Sequence, residues 1–207
     1  MTPTQSNPRQ VTRIFVAGVG GQGTITATIV IGEAAIAAGL NVVTSELPGM
    51  AQRGGIVNSE IVVGDAYTAT IPNGSADVIL GFEPAETVRC IAKAAADKTI
   101  TVVNTRPVVP VSASQGVAQY PTPDEVTRHL AQASHSLISL DAVALATQAG
   151  APKAMGAVMV GVLAGLNLLP IPHHCWTTAL NSRAPTMFRE ANLRAFELGV
   201  QVARAMK

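Results

Sequence analysis

Short apolar runs alternate along the chain with longer stretches in which alanine, isoleucine and leucine recur at helical spacing. Residues 12–17 form an apolar run that stops at a group of glycines, and residues 24–38 follow as a helix that Gly39 would end. The same patterns predict further strands at residues 41–45, 76–82, 99–104 and 136–140, and further helices at residues 84–96, 122–133, 141–148, 154–169 and 184–206. Strands that alternate with helices predict an α/β fold, Rossmann-like, with a mostly parallel sheet and helices on both of its faces.

Two segments depart from this simple alternation. Residues 56–63 and 66–71 are apolar runs on either side of Gly64-Asp65, a favoured two-residue turn, and they predict a β-hairpin. Residues 173–175 (His-His-Cys) are predicted to lie in a loop between two helices rather than to bind a metal, because adjacent residues rarely coordinate one ion. Trp176 is expected to pack inward beside them.

The composition indicates one globular domain with few charges. The chain has 207 residues, of which 48% are hydrophobic and 13% are charged, and we expect a single domain at residues 11–207 after a short, flexible, polar N-terminus at residues 1–10. A net charge of +1 without a basic stripe excludes nucleic acid as a partner. So few surface charges predict that part of the surface is buried against another protein.

The two cysteines bear on compartment and cofactors. Cys90 and Cys175 cannot form a disulfide framework or hold an iron–sulfur cluster by themselves, and Cys90 is expected to be a buried, small apolar residue on a helix. The longest apolar stretch, residues 154–169, is short for a membrane span, which predicts a reduced, cytoplasmic protein. Within that stretch Gly161 and Gly165 would let a helix of this chain, or of another subunit, approach closely.

A glycine-rich loop after the first strand is the first chemical signal. Gly18, Gly20, Gly21, Gln22 and Gly23 lie in the segment GVGGQG, which fits G-x-G-x-x-G between a strand and a helix. Such a loop brings backbone N–H groups close to a pyrophosphate at the positive end of the helix. The loop has no lysine, which excludes a Walker-type NTPase. The alternative is a glycine-rich turn that binds nothing.

A second loop, residues 45–55, is predicted to leave the sheet at the same edge. Arg53 could bind a phosphate or carboxylate through its fork of N–H groups, with Gln52 adding a hydrogen bond, or Arg53 could only brace the loop. Glu46 lies about where a dinucleotide-binding fold places the carboxylate that binds the ribose. A stand-alone NAD- or flavin-dependent reductase is therefore an alternative function, and a non-catalytic scaffold with an empty glycine loop is another.

Three segments carry a family resemblance. GVGGQGTITATIVIGEAAIAAG, SELPGMAQRGGIVNSEIVVGD and ADVILGFEPAETVRC resemble the gamma subunit of the 2-oxoacid:acceptor (ferredoxin) oxidoreductases, which act on pyruvate, 2-oxoisovalerate, indolepyruvate or phenylglyoxylate. The resemblance covers about residues 11–205, and the pairing of G-x-G-G-Q-G with Q-R-G-G about thirty residues later is specific. The helix at residues 154–169 also resembles the last core helix of the family, with Gly156 where the family often has asparagine.

The resemblance implies a reaction and a set of partners. Enzymes of this family oxidatively decarboxylate a 2-oxo acid with thiamine diphosphate, form an acyl-CoA, and pass electrons through iron–sulfur clusters to ferredoxin or another acceptor. The chain has no thiamine diphosphate motif and too few cysteines, so this cofactor, Mg and the [4Fe-4S] clusters would belong to alpha, beta and delta subunits or a fused large subunit. A flavin or NAD subunit is a further possible partner, and an aryl 2-oxo acid is slightly favoured as substrate.

The resemblance also implies roles for particular residues. No residue of this chain is expected to be catalytic. Coenzyme A would be bound by the glycine loop and the residue after it, namely Gly18, Gly20, Gly21, Gln22, Gly23 and Thr24. Gln52 and Arg53 would form a second contact with coenzyme A or line the mouth of the thiamine site on the partner.

Overall fold

A six-stranded mixed sheet forms the centre of the computed structural model, which describes residues 11–49, 55–116 and 119–206. The strands are β1 (Thr12–Val19), β2 (Val42–Pro48), β3 (Ile56–Val63), β4 (Val78–Gly81), β5 (Ile100–Asn104) and β6 (Ser136–Leu140). Their order across the sheet is β2-β3-β1-β4-β5-β6, and β1, β4, β5 and β6 are parallel. Because β3 is antiparallel to both β1 and β2, β2 is parallel to β1. The prediction of a Rossmann-like, mostly parallel sheet is confirmed.

Helices cover both faces of this sheet, as predicted. They are α1 (Thr24–Ala37), α2 (Pro84–Arg89), α3 (Val111–Ser114), α4 (Pro123–Ala133), α5 (Ala142–Gln148), α6 (Met155–Leu166), α7 (His173–Arg183) and α8 (Arg189–Ala205). On one face, α1 and α6 cover the larger core, which includes Ile14 and Val16. On the other face, α2 packs against β1 and β4 beside a smaller core around Phe15 and Ile79. In the described ranges, none of these helices combines the length and apolar character needed to cross a membrane.

The predicted hairpin at residues 56–71 is wrong in its second strand. β3 already pairs with β1 on one side and β2 on the other, so neither edge is free for residues 66–71. The Gly64 N–H instead donates to the carbonyl of Asn41, at a distance of 2.8 Å between nitrogen and oxygen. The chain then leaves the sheet and buries Ile71 in the smaller core.

The predicted helix at residues 84–96 ends early, at Arg89, and a 3-10 helix (Ile91–Lys93) follows. The carbonyl groups of Ala92 and Lys93 accept hydrogen bonds from the backbone of Gly74 and Ala76, respectively, at 2.9 and 3.0 Å. These bonds tie the end of the segment to the chain that enters β4. Tertiary contacts, rather than local helix propensity, therefore set the length of α2.

Helix α7 corrects the prediction of a loop at residues 173–175. Pro172 is its N-cap residue, and Cys175, Trp176, Ala179 and Leu180 form its buried side. The spacing of these four residues is helical, so the signal was present in the sequence. The inward packing of Trp176 is confirmed, since its side chain is only 2% exposed. The last predicted helix, at residues 184–206, is shorter than expected because Pro185 and a 3-10 helix (Thr186–Phe188) precede α8.

The close helix contact expected at Gly161 and Gly165 lies within this chain. A Cβ atom on Gly161 would lie 2.0 Å from the carbonyl oxygen of Phe196, and one on Gly165 would lie 2.8 Å from that of Val200. Both carbonyl groups belong to α8, and Gly199 of α8 lies equally close to the backbone of α6. The glycines thus let the backbones of α6 and α8 approach directly, and this α6 face is not available to another subunit.

Candidate functional site

The glycine loop lies at the carboxyl end of β1, and its glycines are required for different structural reasons. Gly18 belongs to the strand, where a Cβ atom would come within 2.7 Å of Thr24 Cγ2 and 2.9 Å of Phe82 Cβ, so close packing requires glycine. Gly21 and Gly23 have φ angles of +98° and +85°, which side chains disfavour, and both have open space where a Cβ atom would be. Gly21 and Gly23 therefore permit this backbone conformation and leave the space beside the loop open.

Gln22 holds this loop in place. Its side-chain oxygen accepts a hydrogen bond from the Val19 N–H (3.0 Å), and its Nε2 donates to the Phe82 carbonyl oxygen (3.1 Å). The same carbonyl accepts a hydrogen bond from Asn104 Nδ2 (3.0 Å), while Asn104 Oδ1 accepts one from the Ala142 N–H that begins α5 (3.1 Å). The loop is thus tied to the ends of β4 and β5 and to the start of α5.

The N-terminus of α1 is open to an anion. It has no side-chain cap and no acidic residue in its first turn. The N–H groups of Gly21, Gly23 and Thr24 donate to no acceptor among the residues that the structure describes. Thr24 as a whole residue is 2% exposed, and its side chain packs near Gly18, whereas Gly21 beside it is exposed. Unpaired amides at a helix N-terminus suit a phosphate group.

The second loop begins and ends at the same edge of the sheet as the glycine loop. The Gly49 N–H donates to the Ile56 carbonyl (2.7 Å), and the Gly20 N–H donates to the Gly55 carbonyl (2.8 Å). The loop is therefore anchored beside the glycine loop, as its sequence position suggested. Gln52 and Arg53 lie outside the described residues, as does the predicted flexible N-terminus at residues 1–10.

Glu46 lies on β2 and is exposed, but β3 separates its strand from β1. Glu46 is opposite Ser59 of β3, and Ser59 is opposite Val16 of β1. Two strand spacings, about 10 Å, therefore lie between Glu46 and the strand that leads into the glycine loop. In a dinucleotide-binding fold the ribose carboxylate follows a strand adjacent to the first one. The inserted antiparallel strand removes that arrangement.

Sequence reasoning missed a buried carboxylate beside the glycine loop. Glu83 is 1% exposed and accepts hydrogen bonds from the Glu86 N–H (2.9 Å), the Val108 N–H (3.3 Å) and the Tyr120 hydroxyl. The pKa of Tyr120 is raised because its hydroxyl is buried and because Glu83 accepts its hydrogen bond. The sequence signal was Glu83-Pro84 shortly after β4, since an acidic N-cap followed by proline is typical of a helix start.

Glu86 is a second buried carboxyl in the same turn. Its Oε1 lies 3.3 Å from Arg89 Nε, and its Oε2 is buried without a hydrogen-bond partner among the described residues. Burial raises the pKa of Glu86, an effect that Arg89 opposes and Glu83 reinforces. The neighbouring thiol of Cys90 has its pKa raised to about 11, mainly by burial and by the charge of Glu86, so it is a half-buried, protonated thiol at neutral pH.

Replacing Glu86 with glutamine is expected to stabilise the protein only at pH values above the raised pKa of the Glu86 carboxyl. The folded protein holds the Glu86 proton more tightly than the unfolded chain, so this contribution to stability is complete below the ordinary carboxyl pKa. It is lost as the pH rises through the raised pKa. Glutamine keeps the shape of the protonated carboxyl and does not titrate. Urea unfolding should give Glu86→Gln and wild type similar free energies near about pH 4 and a more stable variant near about pH 8. An equal difference at both pH values would contradict the raised pKa.

The His-His-Cys segment lies on the first turn of α7. His173 Nε2 is 2.7 Å from Glu197 Oε1, and both side chains are partly exposed. His174 is exposed, and Cys175 is 2% exposed. Across the described ranges, no group of three or more His, Cys, Asp or Glu side chains is arranged to hold a metal ion. The structure gives these residues packing and surface contacts.

The chain belongs to the pyruvate ferredoxin/flavodoxin oxidoreductase family, which its residues 13–202 match. Within the family it is a gamma-type subunit of a 2-oxoacid oxidoreductase, the small subunit of an enzyme with several subunits. It is 39% identical over 190 residues to the indolepyruvate oxidoreductase subunit IorB of Archaeoglobus fulgidus, across 92% of this chain and 94% of that one. The corresponding subunit of Methanothermobacter thermautotrophicus is 36% identical over 190 residues, across 92% and 96%.

Solved structures share the fold at lower identity. The gamma subunit of a keto/oxoacid ferredoxin oxidoreductase from Geobacter sulfurreducens superimposes with a TM-score of 0.69 at 23% identity, across 94% of this chain and 99% of that one. The 2-oxoglutarate:ferredoxin oxidoreductase of Magnetococcus marinus, solved with 2-oxoglutarate, coenzyme A and succinyl-CoA, gives a TM-score of 0.70 at 18% identity. That match spans 96% of this chain but 32% of the longer Magnetococcus chain.

Proposed function

We propose that this chain is the gamma subunit of an oxidoreductase that converts an aryl 2-oxo acid, such as indolepyruvate, to its acyl-CoA. We further propose that its glycine loop binds the pyrophosphate of coenzyme A. The aryl class is supported by relatives that are 36–39% identical and are named as indolepyruvate oxidoreductase subunits. Coenzyme A is supported by the Magnetococcus enzyme of the same fold, which was solved with coenzyme A and succinyl-CoA.

The open N-terminus of α1 carries the coenzyme A proposal. A pyrophosphate there would accept hydrogen bonds from the N–H groups of Gly21, Gly23 and Thr24, at the positive end of a helix of 14 residues. Gly18 and Gln22 would act indirectly, since one packs the loop against β4 and the other binds it to the Phe82 carbonyl. Gly20 is fixed by its hydrogen bond to Gly55, and Gln52 and Arg53 are proposed as a second contact from the neighbouring loop.

The redox chemistry is assigned to partner subunits. In the overall reaction the bond between the carboxylate and the carbonyl carbon breaks and CO₂ leaves. A thioester bond forms to the sulfur of coenzyme A, the thiol proton is released, and two electrons pass to the acceptor. Thiamine diphosphate with Mg would supply the carbanion chemistry and [4Fe-4S] clusters would carry the electrons. We place these groups on alpha, beta and delta subunits or a fused large subunit in the cytoplasm, with ferredoxin, or NAD through a flavin subunit, as acceptor.

A stand-alone dinucleotide reductase has less support. Such an enzyme would need Glu46, or another carboxylate, close to the glycine loop to bind the ribose. The insertion of β3 between β2 and β1 moves Glu46 away from that position.

Replacing Gly21 with valine is expected to raise the KM for coenzyme A about tenfold or more in the anaerobically assembled enzyme, while the KM for the 2-oxo acid stays nearly constant. Valine strains a backbone with φ of +98° and adds methyl groups to the open space beside the loop. The matched control is Gly39→Val, which puts the same strain (φ of +76°) at the other end of α1. Steady-state kinetics with each substrate varied in turn provide the measurement. An unchanged KM for coenzyme A in a Gly21→Val enzyme that assembles normally would leave the loop as an empty scaffold.

A further inference from the structure

A cavity of about 580 Å³ opens between α1, α6 and α7 and adjoins the proposed pyrophosphate site, since Gly23 of the glycine loop forms part of its wall. Its walls are mostly apolar and include Ala27, Val30, Val160 and Leu180. No acidic side chain lines it within the described part of the chain. A cavity of this size and character normally receives a ligand or a side chain from another protein.

An exposed apolar patch continues from this cavity. Pro185 and Phe188 line the cavity, and both are exposed, Phe188 to 45%. Met187, between them, is 81% exposed. Large apolar side chains grouped at the mouth of an apolar cavity mark a site of interaction with another protein.

The charge at the cavity is positive. Lys153 lines the cavity and is exposed, and it forms no ion pair with any described residue. Arg189, next to Phe188 in the chain, donates a hydrogen bond to the Ala184 carbonyl (3.4 Å). It forms no ion pair with an acidic side chain in the described ranges. Arg183 is already paired with Glu33. An acidic group on a docking surface would complement Lys153 and Arg189.

We propose that the cavity and the adjoining patch Pro185–Phe188 form the surface on which the large subunit of the oxidoreductase docks. Apolar side chains of the large subunit enter the cavity, and an acidic side chain pairs with Lys153. A buried apolar centre with a charged group at its rim is the usual arrangement of such an interface. The identity of the partner rests on the proposed function. The Magnetococcus enzyme supports close attachment, because there the same fold is about one third of a longer chain.

Carbodiimide cross-linking of the anaerobically purified complex tests the predicted charge pair. The reagent joins an amine to a carboxylate in direct contact, and cross-linked peptides are identified by mass spectrometry. We expect Lys153 to be joined to an aspartate or glutamate of the large subunit. Lys98 provides the internal control, since it lies 3.0 Å from Asp77 within this chain and should be joined to it. The proposal would be overturned if Lys153 were cross-linked only to a second copy of this chain. It would also be overturned if Lys153 formed no cross-link while Lys98 did.

Variants of the exposed residues test the docking itself. Native mass spectrometry on serial dilution of the co-expressed complex should show that Phe188→Glu weakens association with the large subunit about tenfold or more. Lys153→Glu should weaken it about threefold or more at low salt and less at high salt. Tyr67→Glu, at a side chain that is 96% exposed and does not line the cavity, should leave association unchanged.

These outcomes separate the docking surface from the proposed function. Normal association of both Phe188→Glu and Lys153→Glu would overturn this docking surface and leave the cavity for a small molecule, while the proposed function would stand. A wild-type chain that associates with no thiamine-containing large subunit would overturn both.

Discussion

Replacing Gly199 with alanine is expected to lower the free energy of unfolding by about 3 kcal/mol, among the largest effects of any single substitution in this chain. A Cβ atom on Gly199 would lie 2.1 Å from the Val158 carbonyl oxygen and 2.9 Å from the Val162 nitrogen. Both are backbone atoms of α6, which cannot move aside as a flexible side chain could. One added methyl group would therefore force α6 and α8 apart along the core.

Gly32→Ala provides the matched control for this substitution. Gly32 is also a buried helical glycine, but a Cβ atom there would lie 3.9 Å from Thr44 Cγ2, an ordinary contact distance. Alanine should leave stability unchanged or raise it by about 0.5–1 kcal/mol, since glycine is a poor helix former. Urea unfolding followed by circular dichroism measures both variants. If Gly199→Ala were within about 1 kcal/mol of wild type, glycine would not set the spacing of α6 and α8.

Replacing Lys93 with methionine is expected to lower the free energy of unfolding by about 3 kcal/mol at neutral pH. Lys93 Nζ lies 2.9 Å from Glu60 Oε1, and it also donates a hydrogen bond to the Ile71 carbonyl. Glu60 is 3% exposed on β3, so the substitution would leave a buried carboxylate without a cation. An unpaired buried charge costs much more than a pair contributes.

Two further variants separate the buried charge from a general effect of losing a lysine. Lys98→Met breaks the more exposed pair with Asp77 and should cost about 1 kcal/mol or less. The double variant Lys93→Met with Glu60→Met should recover most of the lost stability, because it removes the buried charge as well as its partner. Denaturant unfolding of the three proteins gives the comparison. A double variant as unstable as Lys93→Met would show that packing of the lysine stem, and not charge, is what matters.

Features set by neighbouring residues were predictable from the sequence. The glycine loop is one, because an apolar run, G-x-G-x-x-G and a helical stretch follow one another within residues 12–38. Helix α7 should have been predicted too, since Pro172 and the helical spacing of Cys175, Trp176, Ala179 and Leu180 are local signals. Both elements are determined by residues that are close together in the chain.

Features set by distant contacts were not predictable in this way. The run at residues 66–71 resembles a strand, but β3, its expected hairpin partner, is already paired with β1 on one side and β2 on the other. Glu83 follows a strand like many helix caps, and its role depends on Val108 and Tyr120, which are 25 and 37 positions away. The position of Glu46 relative to the glycine loop likewise depends on strand order, which periodicity does not encode.

A structure of the anaerobically purified complex with coenzyme A bound would test whether the glycine loop binds coenzyme A. We expect the pyrophosphate of coenzyme A within hydrogen-bonding distance of the N–H groups of Gly21, Gly23 and Thr24, with thiamine diphosphate and the iron–sulfur clusters on partner subunits. Coenzyme A bound elsewhere, with nothing at the N-terminus of α1, would contradict it.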